Sequence, residues 1–399
     1  MDYLKIPSPA YVIDEKLLRR NLELLSSVQS HTKVEIIMAF KAFATWGVFP
    51  IIREYFEHTT ASSYNEAMLA NEMMRSPAHT YAPIYTDDEF ELIANMSSHL
   101  TFNSLRQYEK FESRIRDNHW KISCGLRINP EVSVVETDLY NPAVPGSRLG
   151  IIAENMPEKL PNLIEGLHFH VLCESSSYDL EKVLTAVEQK FGKYFSQIKW
   201  LNMGGGHLIT SKDYDVEHLI SLLQGFKAKY PHLQIILEPG AAFVWQAGVL
   251  VSTVEDIVEN HGIKTAMLDV SFACHMPDCL EMPYQPEIEG AQIVKKQTQN
   301  KDQNNNFKSK YIYRMGGDSC LSGDYVGDWA FNKPLVPGDK IVFKDMLHYT
   351  MVKTTMFNGV HHPSIGIWTQ NDNYHILKTF HFEDYFSKLS DSAGQFMRY

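Results

Sequence analysis

Cysteine is scarce and scattered in this 399-residue chain: Cys124, Cys173, Cys274, Cys279 and Cys320 are odd in number and form no CxxC pair. That pattern argues against a disulfide framework or a thiolate zinc site and implies free thiols in a reducing compartment; no metal site is expected. No run of about eighteen apolar residues occurs, which argues against a membrane-spanning helix. The first residues, MDYLKIP, lack both a basic n-region and an apolar h-region, so no secretion signal is visible and the expected location is the cytoplasm. Basic residues are in deficit, 37 Lys and Arg against 48 Asp and Glu, giving a net charge of -11. This balance argues against nucleic acid or an anionic membrane as partner and is compatible with a cationic substrate. Neither GxxxxGKS/T nor GxGxxG is present, which weakens nucleotide readings, and no internal repeat is visible.

What remains is an ordinary globular composition, 44% hydrophobic and 21% charged, in a chain longer than one average domain. The stretch Val34–Lys41 (VEIIMAFK) reads as a buried strand that ends on a lysine. An ammonium at the end of a buried strand is poorly solvated, so its amine is a usable nucleophile, as a Schiff-base lysine requires. Taken alone, Lys41 reads more readily as a snorkelling strand-end residue than as a nucleophile. Before it, Tyr11–Ile13 reads as a short strand, and Asp14 can cap a helix with Leu18, Leu22 and Leu25 on one face. After it, strand-like runs recur at residues 58–63, 79–84, 98–103, 121–128, 166–172, 198–203 and 234–238. Helical patterns separate them, such as the one opened by Asp215. Eight such alternations over roughly 220 residues predict an α/β chain with a (β/α)8 barrel over residues 14–247; a doubly wound open sheet would give a similar count.

Beyond about residue 248 strands follow one another without regular helices, at 248–254, 265–270, 310–315, 340–343 and 365–368, with a turn at Pro337-Gly338-Asp339. Residues 1–13 and 248–399 are therefore expected to form a mostly β domain. Within it, residues 295–308 (KKQTQNKDQNNNFK) read as a polar, solvated loop.

Chemistry-capable residues fall at the carboxyl ends of the barrel strands, where barrel enzymes build their sites. Lys41 ends the first strand, Arg127 the fifth and Glu238 the eighth; His170 lies near the end of the sixth. Gly204-Gly205-Gly206 follows the seventh, where bare backbone N–H groups can approach a phosphate. Glu238, before Pro239-Gly240, could keep a pyridine nitrogen protonated, or serve only as a cap or ion-pair residue. His170 could stack on a flat ring or be a satisfied barrel histidine, and His168 reads as scaffolding. The loop Gly316–Asp324 displays a thiol, Cys320, and carboxylates, a mixture of ligand types that suits a site loop better than a metal. Residues 349–359, read alone, are a strand and an Asn358-Gly359 turn.

Taken together these pieces resemble the pyridoxal-phosphate-dependent decarboxylases of the alanine-racemase fold (fold type III), from about Pro9 to Trp368. The wording is most similar to the branch acting on carboxynorspermidine and carboxyspermidine. That likeness is carried by residues 38–43 (MAFKAF), 168–174 (HFHVLCE), 202–207 (NMGGGH), 238–242 (EPGAA) and 317–324 (GDSCLSGD). The resemblance implies pyridoxal 5'-phosphate as cofactor, Lys41 as its Schiff-base lysine and His170 as the residue stacked on its ring. It implies Gly204, Gly205, Gly206 and Gly240 around the phosphate, Glu238 at the pyridine nitrogen, Arg127 in the pocket and Tyr349 reaching the phosphate. It further implies Cys320 as a catalytic residue lent to the neighbouring subunit of a homodimer. Glu238, Asp269 and Asp324 would hold the substrate, a small carboxylated polyamine.

Two departures separate the chain from ornithine and diaminopimelate decarboxylases: Ala241 replaces the arginine of Glu-Pro-Gly-Arg, and Leu321 replaces an acidic residue after the cysteine. Both are as expected for the carboxyspermidine branch. The alternatives are a decarboxylase of another diamino acid, a racemase, which Glu238 argues against, and a catalytically silent regulatory relative, which the presence of Lys41 and Cys320 argues against.

Overall fold

The computed structural model describes residues 1–118, 120–135, 138–282, 284–294 and 311–390. The polar segment 295–308 lies outside the described residues. Two compact units are present, Arg19–Trp245 and a second made of Met1–Leu18 with Gln246–Tyr399. The division falls a few residues from the expected 13/14 and 247/248 because the first turn of helix α1 (Glu15–Thr32) belongs with the β-rich unit. There Asp14 caps Leu17 N at 3.1 Å, Lys16 pairs with Asp372 at 3.1 Å, and Gln370 N donates to Glu15.

The β-rich unit begins with β1 (Ala10–Asp14). The other unit is built on parallel strands: β2 (Glu35–Ile36), β3 (Met38–Ala39), β4 (Thr59–Ala61), β5 (Ala78–Tyr81), β6 (Ser97–Phe102), β7 (Ser123–Arg127), β8 (Ile164–His168), β9 (Trp200–Asn202) and β10 (Gln234–Leu237). Their order, β2-β10-β9-β8-β7-β6-β5-β4-β3, makes a closed barrel, because β2 and β3 are one chain stretch that changes partners at Ile37. Ile37 N donates to Leu237 O at 2.9 Å, while Met38 N donates to His58 O at 3.3 Å. The eight expected strands are thus all found, the first of them split at the seam where the barrel closes.

Side-chain alternation stacks the barrel interior in layers. On β5, β7, β8 and β9 the inward positions are, from amino to carboxyl end, His79 and Tyr81; Ser123, Gly125 and Arg127; Gly166 and His168; and Trp200 and Asn202. The middle layer is apolar, with Ile37, Trp200 and Ile236 in contact. Trp200 occupies the space left by two glycines: a Cβ on Gly166 would lie 2.0 Å from its ring, and one on Gly125 2.3 Å. Its Nε1 donates to Ser123 Oγ at 2.8 Å. Polar and ionisable groups therefore gather at the two ends of the barrel. Outside, two of the longer helices start on side-chain caps: Ser176 and Asp179 form a capping box for Ser177–Phe191, and Asp215 caps Val216–Lys229.

In the β-rich unit, β11 (Gly248–Asn260), β12 (Ile263–Leu268), β13 (Ala291–Ile293), β14 (Tyr311–Gly316), β15 (Tyr325–Phe331), β16 (Lys340–Lys344), β17 (Ser364–Trp368) and β18 (Tyr374–Lys378) join β1. The order is β13-β15-β14-β12-β11-β1-β17-β18, with β16 also on β11. Its larger core packs Tyr11, Leu250, Phe272, Trp329 and Phe343. β13, β15 and β18 were not anticipated: β13 has three residues, and β15 carries Gly327-Asp328, which reads as a turn. Residues 349–359 correct another expectation. They form two 3-10 turns, Met351–Lys353 and Phe357–Gly359, and no strand, because Tyr349 enters with φ +50° and Asn358 sits at φ +57°.

Candidate active site

At the carboxyl end of the barrel, Lys41 lies two residues past β3 and His170 two residues past β8, where the strand ends earlier than its apolar run suggests. These positions free both side chains from the ladder while the buried strands hold their roots. Lys41 Nζ and His170 Nε2 are 3.1 Å apart. Gly205 N donates to His170 Nδ1 at 2.9 Å, and Arg127 donates through a terminal guanidinium nitrogen to His170 O at 3.0 Å. Arg127 is buried and lies over the Tyr81 ring at 4.6 Å, so its place in the site is to fix the backbone that carries His170. Burial, reinforced by Lys41 and Arg127, keeps His170 neutral, well below the ordinary histidine range. Burial also pushes the Lys41 ammonium down; Glu238 opposes this and Arg127 adds to it.

Glu238 follows β10. Asn202 Nδ2 donates to its Oε1 at 2.6 Å, and His168 Nε2 stands 3.6 Å from Oε2, too far for a hydrogen bond. Burial alone would raise this carboxyl, but His168, Asn202 and Lys41 together hold it below the usual carboxylate range. His168 is itself buried, with neither ring nitrogen hydrogen-bonded among the described residues, and burial lowers its pKa against the pull of Glu238. Glu238 is thus an ionised acceptor with one oxygen open.

Gly204-Gly205-Gly206 is held by both neighbouring segments. Asn202 Oδ1 accepts from Gly204 N at 2.9 Å, and Gly204 O accepts from Glu238 N at 2.7 Å. A Cβ on Gly205 would sit 2.1 Å from Glu238 O, and Gly206 has φ +93°. Glycine is therefore demanded by close backbone approach, and Gly206 N–H has no hydrogen-bond partner among the described residues. Gly240 brings the Glu238 turn against the Lys41 strand, where a Cβ would lie 2.5 Å from Ala42 Cβ.

The remaining predicted residues belong to the β-rich unit. Asp324 is buried, and its oxygens accept from Ala273 N, Ser319 N and Ser319 Oγ, at 3.0, 3.1 and 2.6 Å. Asp269 accepts from Ser252 Oγ and Thr253 N through one oxygen and from Ser8 Oγ through the other, at 2.7, 2.8 and 2.5 Å. Both carboxylates are engaged in holding loops. Cys320 is exposed, with its N–H donating to Asn358 Oδ1 at 2.8 Å, and none of the five cysteines is in a disulfide. Tyr349 is half-buried beside His348. Asn202, His168 and Tyr81 were not singled out as functional. Alternation on β9, β8 and β5 could have placed Asn202 and Tyr81 beside Arg127 and His168, had strand ends been known.

The donor set suits an aldehyde cofactor with a basic ring nitrogen and a phosphate. It comprises an amine of lowered pKa, a neutral imidazole beside it, an open ionised carboxylate oxygen and a bare N–H in a glycine loop. Barrel, β-rich unit and site together define the alanine-racemase-like pyridoxal enzymes of fold type III.

Comparison with known proteins narrows this class. A family model described as pyridoxal-dependent decarboxylase, C-terminal sheet domain, matches residues 10–346. The chain belongs to the pyridoxal-dependent decarboxylases and is a carboxy-lyase. A carboxyaminopropylagmatine decarboxylase of Synechocystis sp. is 47% identical over 384 residues, 96% of each chain. A carboxynorspermidine/carboxyspermidine decarboxylase of Campylobacter jejuni is 44% identical over 386 residues, 96% of this chain and 99% of that one. The crystal structure of Campylobacter jejuni carboxynorspermidine decarboxylase, complexed with norspermidine, matches with a TM-score of 0.86 and 42% identity, covering 96% of this chain and 100% of that one. No helix among the described residues is long and apolar enough to cross a membrane.

Proposed function

We propose that this chain decarboxylates carboxyspermidine and carboxynorspermidine, giving spermidine and norspermidine, with pyridoxal 5'-phosphate held through Lys41. The observation that carries the reading is the full-length similarity to a decarboxylase whose structure holds norspermidine, joined to a site with Lys41, His170 and Glu238 in place. Ala241 and Leu321, where the ornithine and diaminopimelate enzymes carry charge, support the same substrate branch.

When bound, pyridoxal phosphate is an electron sink that accepts the pair left as the substrate carboxylate departs as carbon dioxide. Lys41 would hold the cofactor through its free amine, and His170 would lie beside the ring. Glu238 Oε2 would accept from the ring N–H, with Asn202 fixing the carboxylate through its other oxygen and His168 adding only electrostatic support. Gly206 N–H and Tyr349 would hold the phosphate, and Gly204, Gly205 and Gly240 allow the close packing that shapes the glycine loop. Cys320 Sγ or Lys41 Nζ returns a proton to the carbon that lost the carboxylate. Cys320 acts in the site of a neighbouring copy, so the working unit is a homodimer. Asp269 and Asp324 act on substrate through the loops they hold, since their oxygens already have donors.

A second reading, carboxyaminopropylagmatine as substrate, is supported by the 47% identity to the Synechocystis enzyme. The two substrates differ at the far end, a compact ammonium against a planar guanidinium, which ask for different acceptor geometry. Product analysis decides: the protein with pyridoxal phosphate is given carboxyspermidine, carboxynorspermidine, carboxyaminopropylagmatine, diaminopimelate and ornithine in parallel. Spermidine and norspermidine as the preferred products support the proposal; aminopropylagmatine as the preferred product transfers the assignment to the second reading. Lysine or putrescine keeps the chemistry and overturns the substrate. A colourless protein without product supports a silent relative.

A further inference from the structure

The amino end of the barrel, opposite the end carrying Lys41, holds a cluster that decarboxylation does not use. Glu35 on β2, His58 immediately before β4 and His79 on β5 each offer a ligand atom, and the three atoms lie within 4.8 Å of one another. Glu35 Oε1 accepts from His58 Nδ1 at 2.7 Å, and Gln234 Nε2 donates to Glu35 Oε2 at 2.5 Å. This fork orients the carboxylate and engages only the Nδ1 of His58. His79 is 5% exposed, and its Nδ1 is enclosed with no hydrogen-bond partner among the described residues. A buried imidazole with an unused nitrogen is costly unless something occupies it. The His99 ring lies tilted against His79 with ring centres 3.9 Å apart, and Trp200 closes the floor at 5.3 Å from His99. On the open side, a cavity of about 590 Å³ reaches Glu35 and His58 between Tyr55, Phe56 and Gln234. The cluster therefore has a dry wall, an unpartnered nitrogen and an entry path.

We propose that Glu35, His58 and His79 form a site for one divalent transition-metal ion of the zinc type, with a water from the cavity as fourth ligand. Two imidazoles and a carboxylate are an established donor set for such ions. Ligand bonds of about 2.1 Å require donor atoms roughly 3.4 Å apart, so binding asks the three side chains to draw together by rotation, without moving the strands. The ion would tie the first barrel strand to the two that follow it, beside the seam at Ile37 where that strand changes partners. Because it is remote from Lys41, its effect falls on folding and on the response to metal supply, not on the chemical step.

The test uses the holoenzyme after chelator treatment, titrated with Zn²⁺ and separately with Co²⁺ by calorimetry, with thermal denaturation read alongside. The expected result is one ion per chain and a denaturation midpoint that rises with Zn²⁺. In Glu35→Gln and His79→Asn affinity should fall by more than about 100-fold, since even outer-shell partners are worth 10–100-fold. The midpoint shift should vanish in both, while metal-free turnover stays at the parent level. His31→Gln, on exposed helix surface, should bind as the parent does. Glu35 is half-buried, so Glu35→Gln keeps the test open should His79→Asn fail to fold. No binding by the parent, or parent-like binding by Glu35→Gln, overturns the site.

Discussion

His170 presents Nε2 to the amine of Lys41 at 3.1 Å while its Nδ1 accepts the Gly205 N–H at 2.9 Å. Those two contacts fix each other's proton. A neutral imidazole that accepts at Nδ1 must carry its hydrogen on Nε2, so Nε2–H can only donate to Lys41. An ammonium has no lone pair to receive it. The geometry therefore asks for Lys41 as a free amine, the form that attacks an aldehyde, and the buried surroundings lower its pKa in the same direction. The glycine loop thus acts on the nucleophile through the histidine, and Arg127 holds the histidine from behind.

Lys41→Ala is expected to cut turnover by about 10⁴-fold or more, the upper range for a group acting in proton transfer and nucleophilic roles together. It should also abolish the visible absorbance of covalently held cofactor, read on the purified protein after adding pyridoxal phosphate. His170→Phe keeps a flat ring but removes the Nε2 donor. The midpoint pH for covalent attachment should then move upward in a spectrophotometric titration. An unchanged midpoint would mean that His170 does not hold the amine neutral.

Much of this was legible in the sequence because buried parallel strands are near-continuous apolar runs, and eight of them stand out between amphipathic helices. Strand ends are another matter. Val171 and Leu172 continue the apolar run of β8, but the ladder stops at His168, and that offset is what frees His170 to turn toward Lys41. The split at Ile37 is equally invisible, because a strand that changes partners keeps the same side-chain pattern. The β-rich unit was read less well. Its hairpin β14–β15 has a register shift after Arg314, and Gly327 makes room for Gln285, so its pattern departs from strict alternation. Asp269 and Asp324 look like free site carboxylates in sequence, and only three-dimensional packing supplies the hydroxyl and backbone donors that occupy them.

The barrel floor gives a packing prediction. Gly166→Ala would place a methyl group 2.0 Å from the Trp200 indole, and the backbone of β8 cannot retreat without losing β7 and β9. The expected cost is about 1–3 kcal/mol, seen as a lower denaturant midpoint with unchanged slope. Combining it with Trp200→Leu should recover part of that loss, giving a negative interaction energy in the double-mutant cycle. Additive losses would show that the indole does not fill the space left by Gly166.

Acid stability gives the last prediction. His207, next to the glycine loop, is 1% exposed, and neither ring nitrogen has a hydrogen-bond partner among the described residues. Burial lowers its pKa from the usual 6.5 to about 4. The unfolded chain therefore binds this proton more readily than the folded one. The stability tied to it is complete above pH 6.5 and is lost progressively as pH falls toward 4. At about 1.4 kcal/mol per pH unit, the loss across that window is about 3 kcal/mol. His207→Leu removes the group, so its unfolding free energy should fall less steeply between pH 6.5 and 4 than that of the parent. At pH 7.5 the slopes should agree. Parallel curves through the acid window would assign the loss to other groups, of which the buried His275, lowered to about 3, is the next to substitute.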